Sequence, residues 1–286
     1  MITIIGSGKF GQALSKLLGK NQHSLVDIEP DGTYSKKTIE CIKKASQIVL
    51  CIPSEYLLNA LKMLLPIIPQ VPLLSCTKGL YDNLVTPTEL IRQHLANPVA
   101  TLIGPNLSSE IMQGKPAMTV IAGDFATTWA AFFNSSHFVV IVESDCIGNE
   151  FAGAVKNIIA LGTGLIHGYY GKDSYNAMGS FISLAVQDIN QLYRHKSAQP
   201  MPQVSFLGDL FATCMSDSSR NHHFGHLVGC ALKENQPIPQ PEQMVEGLRT
   251  LHIVVHYAKT HTLSIPRVFA LESVFSGNAP IGSLFR

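Results

Sequence analysis

What this chain is short of is charge. Only 14% of its 286 residues are Asp, Glu, Lys or Arg, and 21 basic against 20 acidic groups leave a formal net charge of +1. Soluble chains usually carry about 25% charged residues. So even a balance makes no electrostatic case for nucleic acid or an anionic membrane, which need clustered cations. Long apolar runs are lacking as well. The greasiest stretch, Met63 to Leu74, is broken by Pro66, Pro69 and Pro72, whereas a membrane span needs about 20 unbroken apolar residues. The opening Met1-Ile2-Thr3-Ile4-Ile5 has no basic flank or cleavage pattern, so no signal peptide is expected. Cysteines are few and scattered. Cys41, Cys51, Cys76, Cys146, Cys214 and Cys230 form no C-x-x-C, which excludes a zinc ribbon or disulfide framework and points to reduced thiols in the cytoplasm. What is present is apolar: 46% of the chain is hydrophobic. At roughly 100–200 residues per domain the length suggests two domains, and the low charge suggests further burial in a homodimer.

Up to about Glu143 short β-rich runs alternate with helical patterns. The expected strands are Ile2–Ile5, Leu25–Ile28, Ile48–Ile52, Leu73–Cys76, Val99–Ile103, Thr119–Ala122 and Phe138–Val142. Phe10, Leu14, Leu17 and Leu18 fall on one helical face between the first two. Parallel neighbours need crossover helices, so the alternation predicts a doubly wound α/β sheet of Rossmann type over residues 1–143. From residue 144 to 286 the pattern becomes all-α. An apolar, glycine-dotted helix spans Ile147 to Tyr170, followed by helices near Tyr175–Lys196, Ser205–Thr213, Asn221–Glu234 and Glu242–Thr260.

The first strand runs straight into Gly6-Ser7-Gly8-Lys9-Phe10-Gly11, a G-x-G-x-x-G. Glycine serves three ends there: a tight turn, close approach of backbone to a pyrophosphate, and close helix–strand packing. The helix that follows turns its free N–H groups and positive dipole end to the phosphates. Alone the motif is weak; between a strand and an amphipathic helix it indicates a dinucleotide, NAD or NADP. Asp27 and Glu29 lie about 20 residues on, where a carboxylate accepts from a ribose 2′-OH and repels a 2′-phosphate. That position slightly favours NAD, although Glu29-Pro30-Asp31-Gly32 reads equally well as a polar turn.

Further chemistry lies in Thr77-Lys78-Gly79, Gly104-Pro105-Asn106, Gly153-Ala154-Val155-Lys156-Asn157, Gly208-Asp209 to Thr213-Cys214, and Ser218-Ser219-Arg220-Asn221. Lys156 stands out, because an ammonium in an apolar helix must find a partner or lose its proton.

With these segments in order, the chain resembles the bacterial-type NAD(P)-dependent glycerol-3-phosphate dehydrogenases over nearly its whole length. Ile52-Pro53-Ser54, Glu110 and Val245-Glu246-Gly247 add to the series. The resemblance implies an N-terminal Rossmann domain, a helical C-terminal substrate domain, and interconversion of dihydroxyacetone phosphate and glycerol 3-phosphate for phospholipid synthesis. It makes Lys156 the catalytic lysine, Lys78 a second active-site lysine that also touches cofactor, and Asp209 the carboxylate that orients them. Gly104, Asn106, Asn157 and Thr213 then meet substrate, with Ser219, Arg220 and Asn221 on its phosphate. Around the cofactor it sets Gly6, Gly8, Lys9, Phe10, Gly11, Asp27 and Pro53, and further along Ser108, Arg220, Met244 and Glu246.

The chain also departs from that family. Ile182-Ser183-Leu184-Ala185 stands where I-T-R-G is common, Phe206 replaces a glycine, and Asn106 a serine or threonine. It is short between Asp27 and Ile48, where relatives build the wall of the adenosine pocket. Two other readings follow: a weakened nucleotide-binding paralogue, and a related reductase of the ketopantoate type. His222, His223 and His226, and His252 with His256, have helical spacing but no H-E-x-x-H. They read as a mildly basic rim and not as a metal site.

Overall fold

The computed structural model describes residues 1–19, 23–29, 32–197, 199–216 and 219–286. Pro30 and Asp31 of the polar turn, and Ser218, lie outside the described residues. The chain forms two compact units, residues 1–78 with 85–150 and residues 79–84 with 151–286.

The first unit is built from β1 (Ile2–Ile5), α1 (Lys9–Leu18), β2 (His23–Val26), α2 (Lys36–Lys43), β3 (Gln47–Leu50), α3 (Ser54–Leu64) and β4 (Leu73–Ser75). It continues with α4 (Pro87–His94), β5 (Val99–Ile103), α5 (Ser108–Met112), β6 (Ala117–Gly123), α6 (Ala126–Phe133) and β7 (Phe138–Glu143). The seven strands make one sheet, ordered β2-β1-β3-β4-β5-β6-β7. Every ladder is parallel except β5–β6. A parallel sheet covered on both faces needs strands that are apolar on both sides. β1 and β5 meet this, each buried at every position.

β2 sits two residues earlier than Leu25–Ile28. β1 supplies only four partners, Ile2 pairing with His23 through Ile5 with Val26, so the ladder ends before Asp27. That leaves Asp27 at the carboxyl end of the sheet. β3 is trimmed for the same reason, ending where Leu50 pairs with Ile5. In the common dinucleotide-binding order, 3-2-1-4-5-6, another strand lies outside the second. Here, among the described residues, α2 alone separates β2 from β3, which pairs directly with β1, and β2 is the sheet edge.

The second unit comprises α7 (Cys146–Tyr170, from Phe151 on), α8 (Tyr175–Lys196), α9 (Gln203–Met215), α10 (Arg220–Lys233), α11 (Glu246–Thr260) and α12 (Pro266–Phe275). Glycines set its packing. A Cβ on Gly164 or Gly168 would lie 2.0 or 2.1 Å from the carbonyl oxygen of His222 or His226, and one on Gly225 or Gly229 would strike α7 likewise. Backbones therefore touch where α7 crosses α10. The segment 79–84 belongs here because Leu80 and Leu84 are buried in this core and Arg249 lies over the Tyr81 ring.

Two helices differ from expectation. α11 starts at Glu246 and not at Glu242, and its N-cap residue, Val245, makes no side-chain capping bond. The cap arrives from α10, where Asn221 Oδ1 accepts from Gly247 N at 2.9 Å. α12 has no forecast counterpart. Pro266 opens it, and Asp188 of α8 accepts from Arg267 N at 2.6 Å and Val268 N at 3.2 Å. Both starts depend on side chains remote in sequence, which a local pattern does not reveal.

Candidate active site

In the first unit the glycine loop divides its labour. A Cβ on Gly6 would lie 2.3 Å from the Cys51 carbonyl oxygen, and one on Gly11 would lie 1.9 Å from that of Gly6. These two glycines let α1 close onto the sheet. Gly8 differs: a Cβ there would meet nothing within 4 Å. The space beside Gly8 is open, as a pyrophosphate approaching the backbone requires. Gly8 is also the N-cap of α1 with no capping side chain, and Lys9 is exposed beside it.

Asp27 stands at the tip of β2. Its Oδ2 accepts from Ser7 N at 2.8 Å and from Ser7 Oγ, and its Oδ1 accepts from Ile28 N at 2.8 Å. Burial works to raise this carboxyl, but the hydrogen bonds from Ser7 and Ile28 outweigh it and hold it below its ordinary value. Burial, with Asp27 nearby, pushes the Tyr34 hydroxyl up to about 12. Asp27, Glu29 and Gly32 line one side of a cavity of about 390 Å³, with Pro53, Tyr56 and Asn59 also in its wall. Open glycine, uncapped helix start, carboxylate and cavity together fit the adenosine and pyrophosphate of a dinucleotide.

The Thr77-Lys78-Gly79 and Gly104-Pro105-Asn106 segments meet at the ends of β4 and β5. Lys78 Nζ donates to Gly104 O and to Asn106 Oδ1, both at 3.3 Å. Asn106 is held in turn by donating from Nδ2 to Thr119 Oγ1 at 3.1 Å. Carbonyl oxygens thus fix the direction of a half-buried ammonium. Ser108 is the first residue of α5 and half-buried.

In the second unit Lys156 is 4% exposed and Asp209 1%. The lysine donates to Asp209 Oδ1 and, at 2.7 Å, to Thr213 Oγ1, which itself donates to Asp209 O at 2.6 Å. Asp209 and Thr213 are one helical turn apart on α9, so both meet Lys156 from α7. A buried charge needs such a partner. Burial also pushes the adjacent Cys214 thiol up to about 11. Asn157 is buried, and its backbone abuts Gly247.

Ser219 is the N-cap of α10, accepting from His222 N at 3.3 Å. Arg220 is exposed and lines a second cavity of about 300 Å³ together with His223, Gln243 and Met244. Asn221 is instead buried, with its Oδ1 committed to Gly247 N. Glu246 begins α11 and is half-buried. Among the described residues, no group of three or more His, Cys, Asp or Glu could hold a metal ion, and no helix is long and apolar enough to cross a membrane.

Comparison with known proteins gives the family. Residues 28–128 match the N-terminal, and residues 145–286 the C-terminal, family model of NAD-dependent glycerol-3-phosphate dehydrogenase. A glycerol-3-phosphate dehydrogenase [NAD(P)+] of Acaryochloris marina is 32% identical, over 96% of this chain and 91% of that protein. The chain belongs to the NAD-dependent glycerol-3-phosphate dehydrogenase family. Its fold is also that of the Coxiella burnetii glycerol-3-phosphate dehydrogenase, with a TM-score of 0.84 at 23% identity over 99% of this chain and 97% of that one. A ketopantoate reductase from Ralstonia eutropha shares the architecture more distantly, with a TM-score of 0.62 at 13% identity over 97% and 98% of the two chains. The ketopantoate-type reading gives way accordingly.

Three further residues of this dehydrogenase contribute contacts that the motifs do not mark. Ser7 holds Asp27 from an unspecified position of the glycine motif, and Thr119 aligns Asn106 across the β5–β6 ladder; neither contact has a sequence signal. Glu150 did have one. It is a charge in the apolar start of α7, and the argument that singled out Lys156 applies equally. It is wholly buried, accepting from Thr88 N at 2.9 Å and Thr88 Oγ1 at 2.6 Å.

Proposed function

We propose that Lys156 is the group that makes this dehydrogenase an acid–base catalyst on dihydroxyacetone phosphate and sn-glycerol 3-phosphate, with NAD or NADP as cofactor. The nicotinamide, when bound, supplies or accepts the hydride at the carbon that changes oxidation state. Reduction leaves negative charge on the former carbonyl oxygen. Lys156 donates a hydrogen bond to that oxygen, stabilises the charge as it develops, and delivers the proton that completes the alcohol. Asp209 keeps the lysine charged and, with Thr213, aims it. Lys78, aligned by Gly104 and Asn106, polarises the same substrate, while Asn157 and Thr213 bond its oxygens. Arg220 takes the phosphate with Ser219 and Asn221, because a guanidinium fork matches phosphate geometry.

The observation that carries this reading is the Lys156–Asp209–Thr213 cluster. A buried ion pair is weak evidence of stabilisation by itself, so its placement in a helix core calls for a chemical use. Gly6, Gly8 and Gly11 with Lys9 and Phe10 would hold the pyrophosphate side of the dinucleotide, and Asp27 and Pro53 its adenosine. The family resemblance gives Ser108, Arg220, Met244 and Glu246 to the rest of the cofactor, and we keep that assignment. We assign residues 1–143 to cofactor and 144–286 to substrate, and we place the enzyme in the cytoplasm, supplying glycerol 3-phosphate to phospholipid synthesis. All six cysteines are free thiols, in keeping with a reducing compartment.

The test follows dihydroxyacetone phosphate reduction through loss of reduced-nicotinamide absorbance. The expected result is turnover in the wild type and about a 1,000-fold loss in Lys156→Ala, with NADH affinity nearly unchanged. Substantial turnover in Lys156→Ala would refute the assignment. A wild type that binds NADH and reduces nothing would favour the weakened-paralogue reading.

A further inference from the structure

Cys51 and Cys76 are the first residues beyond β3 and β4, whose last residues, Leu50 and Ser75, are register partners. The ladder continues past them, since Cys76 N donates to Leu50 O at 2.9 Å and Cys51 N to Ile5 O at 2.8 Å. Residues in register on adjacent strands share a face and sit about 4.8 Å apart, inside the ~4.4–6.8 Å separation a disulfide spans. Both side chains belong to one apolar cluster, Cys76 within it and Cys51 packed against it. They are unequal in access. Cys76 is buried in the sheet core, whereas Cys51 is half-buried and lines the 390 Å³ cavity assigned to adenosine.

We propose that Cys51 and Cys76 are a reversible disulfide site that couples oxidation to the dinucleotide cradle. A hydroperoxide entering the cavity meets Cys51 first. The Cys51 sulfur attacks the terminal peroxide oxygen, the O–O bond breaks, and water or an alcohol leaves, converting Cys51 to a sulfenic acid. The Cys76 sulfur then attacks the Cys51 sulfur. The S–O bond breaks, water carries off the Cys76 proton, and the S–S bond forms. Two thiols are oxidised and one peroxide is reduced by two electrons. Burial raises the Cys76 thiol well above its ordinary value, with the Cys51 hydrogen bond adding and Lys78 opposing. Cys76 is therefore the slow, resolving partner.

The consequence for binding rests on the dinucleotide reading of the cavity. Bond formation draws the two sulfurs to about 2.05 Å of each other. Cys51 cannot shift alone, because its carbonyl fills the space a Gly6 side chain would need and its Cβ lies 3.6 Å from the Cβ position of Gly11. The movement passes into the loop that offers its N–H groups to the pyrophosphate. Reciprocally, bound NADH covers Cys51 and slows its oxidation.

Hydrogen peroxide, followed by alkylation and non-reducing peptide mass spectrometry on the full chain, tests this. The expected result is one linked peptide pair joining Cys51 to Cys76, formed more slowly when NADH is present. NADH binding then weakens about tenfold, equivalent to one charge-assisted backbone hydrogen bond lost, and dithiothreitol restores it. Cys76→Ala keeps the affinity of the reduced wild type but loses the dithiothreitol-reversible component. Consumption of thiols with no Cys51–Cys76 linkage overturns the proposal, and so does a linked protein that binds NADH as before. Reduced protein that fails to bind NADH overturns the dinucleotide reading, while the linked-peptide result still decides the disulfide.

Discussion

At the scale of single residues, position relative to a strand end singles out the carboxylate we propose as the ribose reader. Asp27 and Glu29 are equivalent by spacing from the glycine motif. The β1–β2 ladder separates them, because it stops at Val26 and leaves Asp27 hydrogen-bonded to the loop through Ser7. That tether holds Asp27 ionised at neutral pH, and a fixed anion beside the ribose favours a 2′-OH over a 2′-phosphate. Titration of NADH and NADPH by nicotinamide fluorescence should give wild-type protein at least about tenfold preference for NADH. Asp27→Asn should narrow that gap, mainly by improving NADPH. Equal or better catalytic efficiency with NADPH in the wild type would sink the NAD preference.

At the scale of elements, three helix starts take a cap from a distant side chain. Asn221 serves α11, Asp188 serves α12, and Glu150 of α7 serves α4 through Thr88. α4 also has its own signal, a capping box in which Thr86 N donates to Glu89 Oε2 at 2.7 Å, followed by Pro87. Glu150 is the costly cap. Burial pushes its carboxyl up to about 7, against the Thr88 hydrogen bonds that lower it. The folded protein therefore holds a proton that the unfolded chain, titrating near 4.5, releases. The stability tied to this proton is complete below pH ~4.5 and is lost as pH rises through ~7, on the order of 3 kcal/mol in all. Glu150→Gln keeps an acceptor and cannot ionise. Relative to the wild type, its melting temperature should gain steadily between pH ~5 and ~7 in calorimetry; parallel profiles would exclude this role for Glu150.

At the scale of the whole molecule, low charge leaves apolar surface to account for. Val204, Leu207, Phe211 and Met215 are all more than 40% exposed and recur down one side of α9. Exposed stripes of this kind suit a contact surface, and we propose a second copy of this chain as the partner. Light scattering behind size exclusion should report twice the 31.1 kDa chain mass, and Phe211→Lys should return it to one. A wild type that runs as a monomer at micromolar concentration would remove the dimer. The same scale shows what shortness does: with α2 the one element among the described residues between β2 and β3, the cavity we assign to adenosine is edged by Asp27, Glu29 and Gly32 and not by an outer strand.

The sequence by itself determined the alternation of strands and helices, the glycine loop after β1, and the lysine in α7 that needed a partner. Each of these is a local pattern: hydrophobic period, steric need for a missing side chain, and the cost of an apolar surrounding for a charge. Only the tertiary structure decided that the partner is Asp209, 53 residues away, that Asp27 is the carboxylate tethered to the glycine loop, and where α11 and α12 begin. Those outcomes turn on which remote oxygen reaches which N–H, and hydrogen bonds carry no trace in sequence spacing once they cross between elements. The pairing of Cys51 with Cys76 is of the same kind. Twenty-five residues part them in the chain, and one parallel ladder sets them side by side.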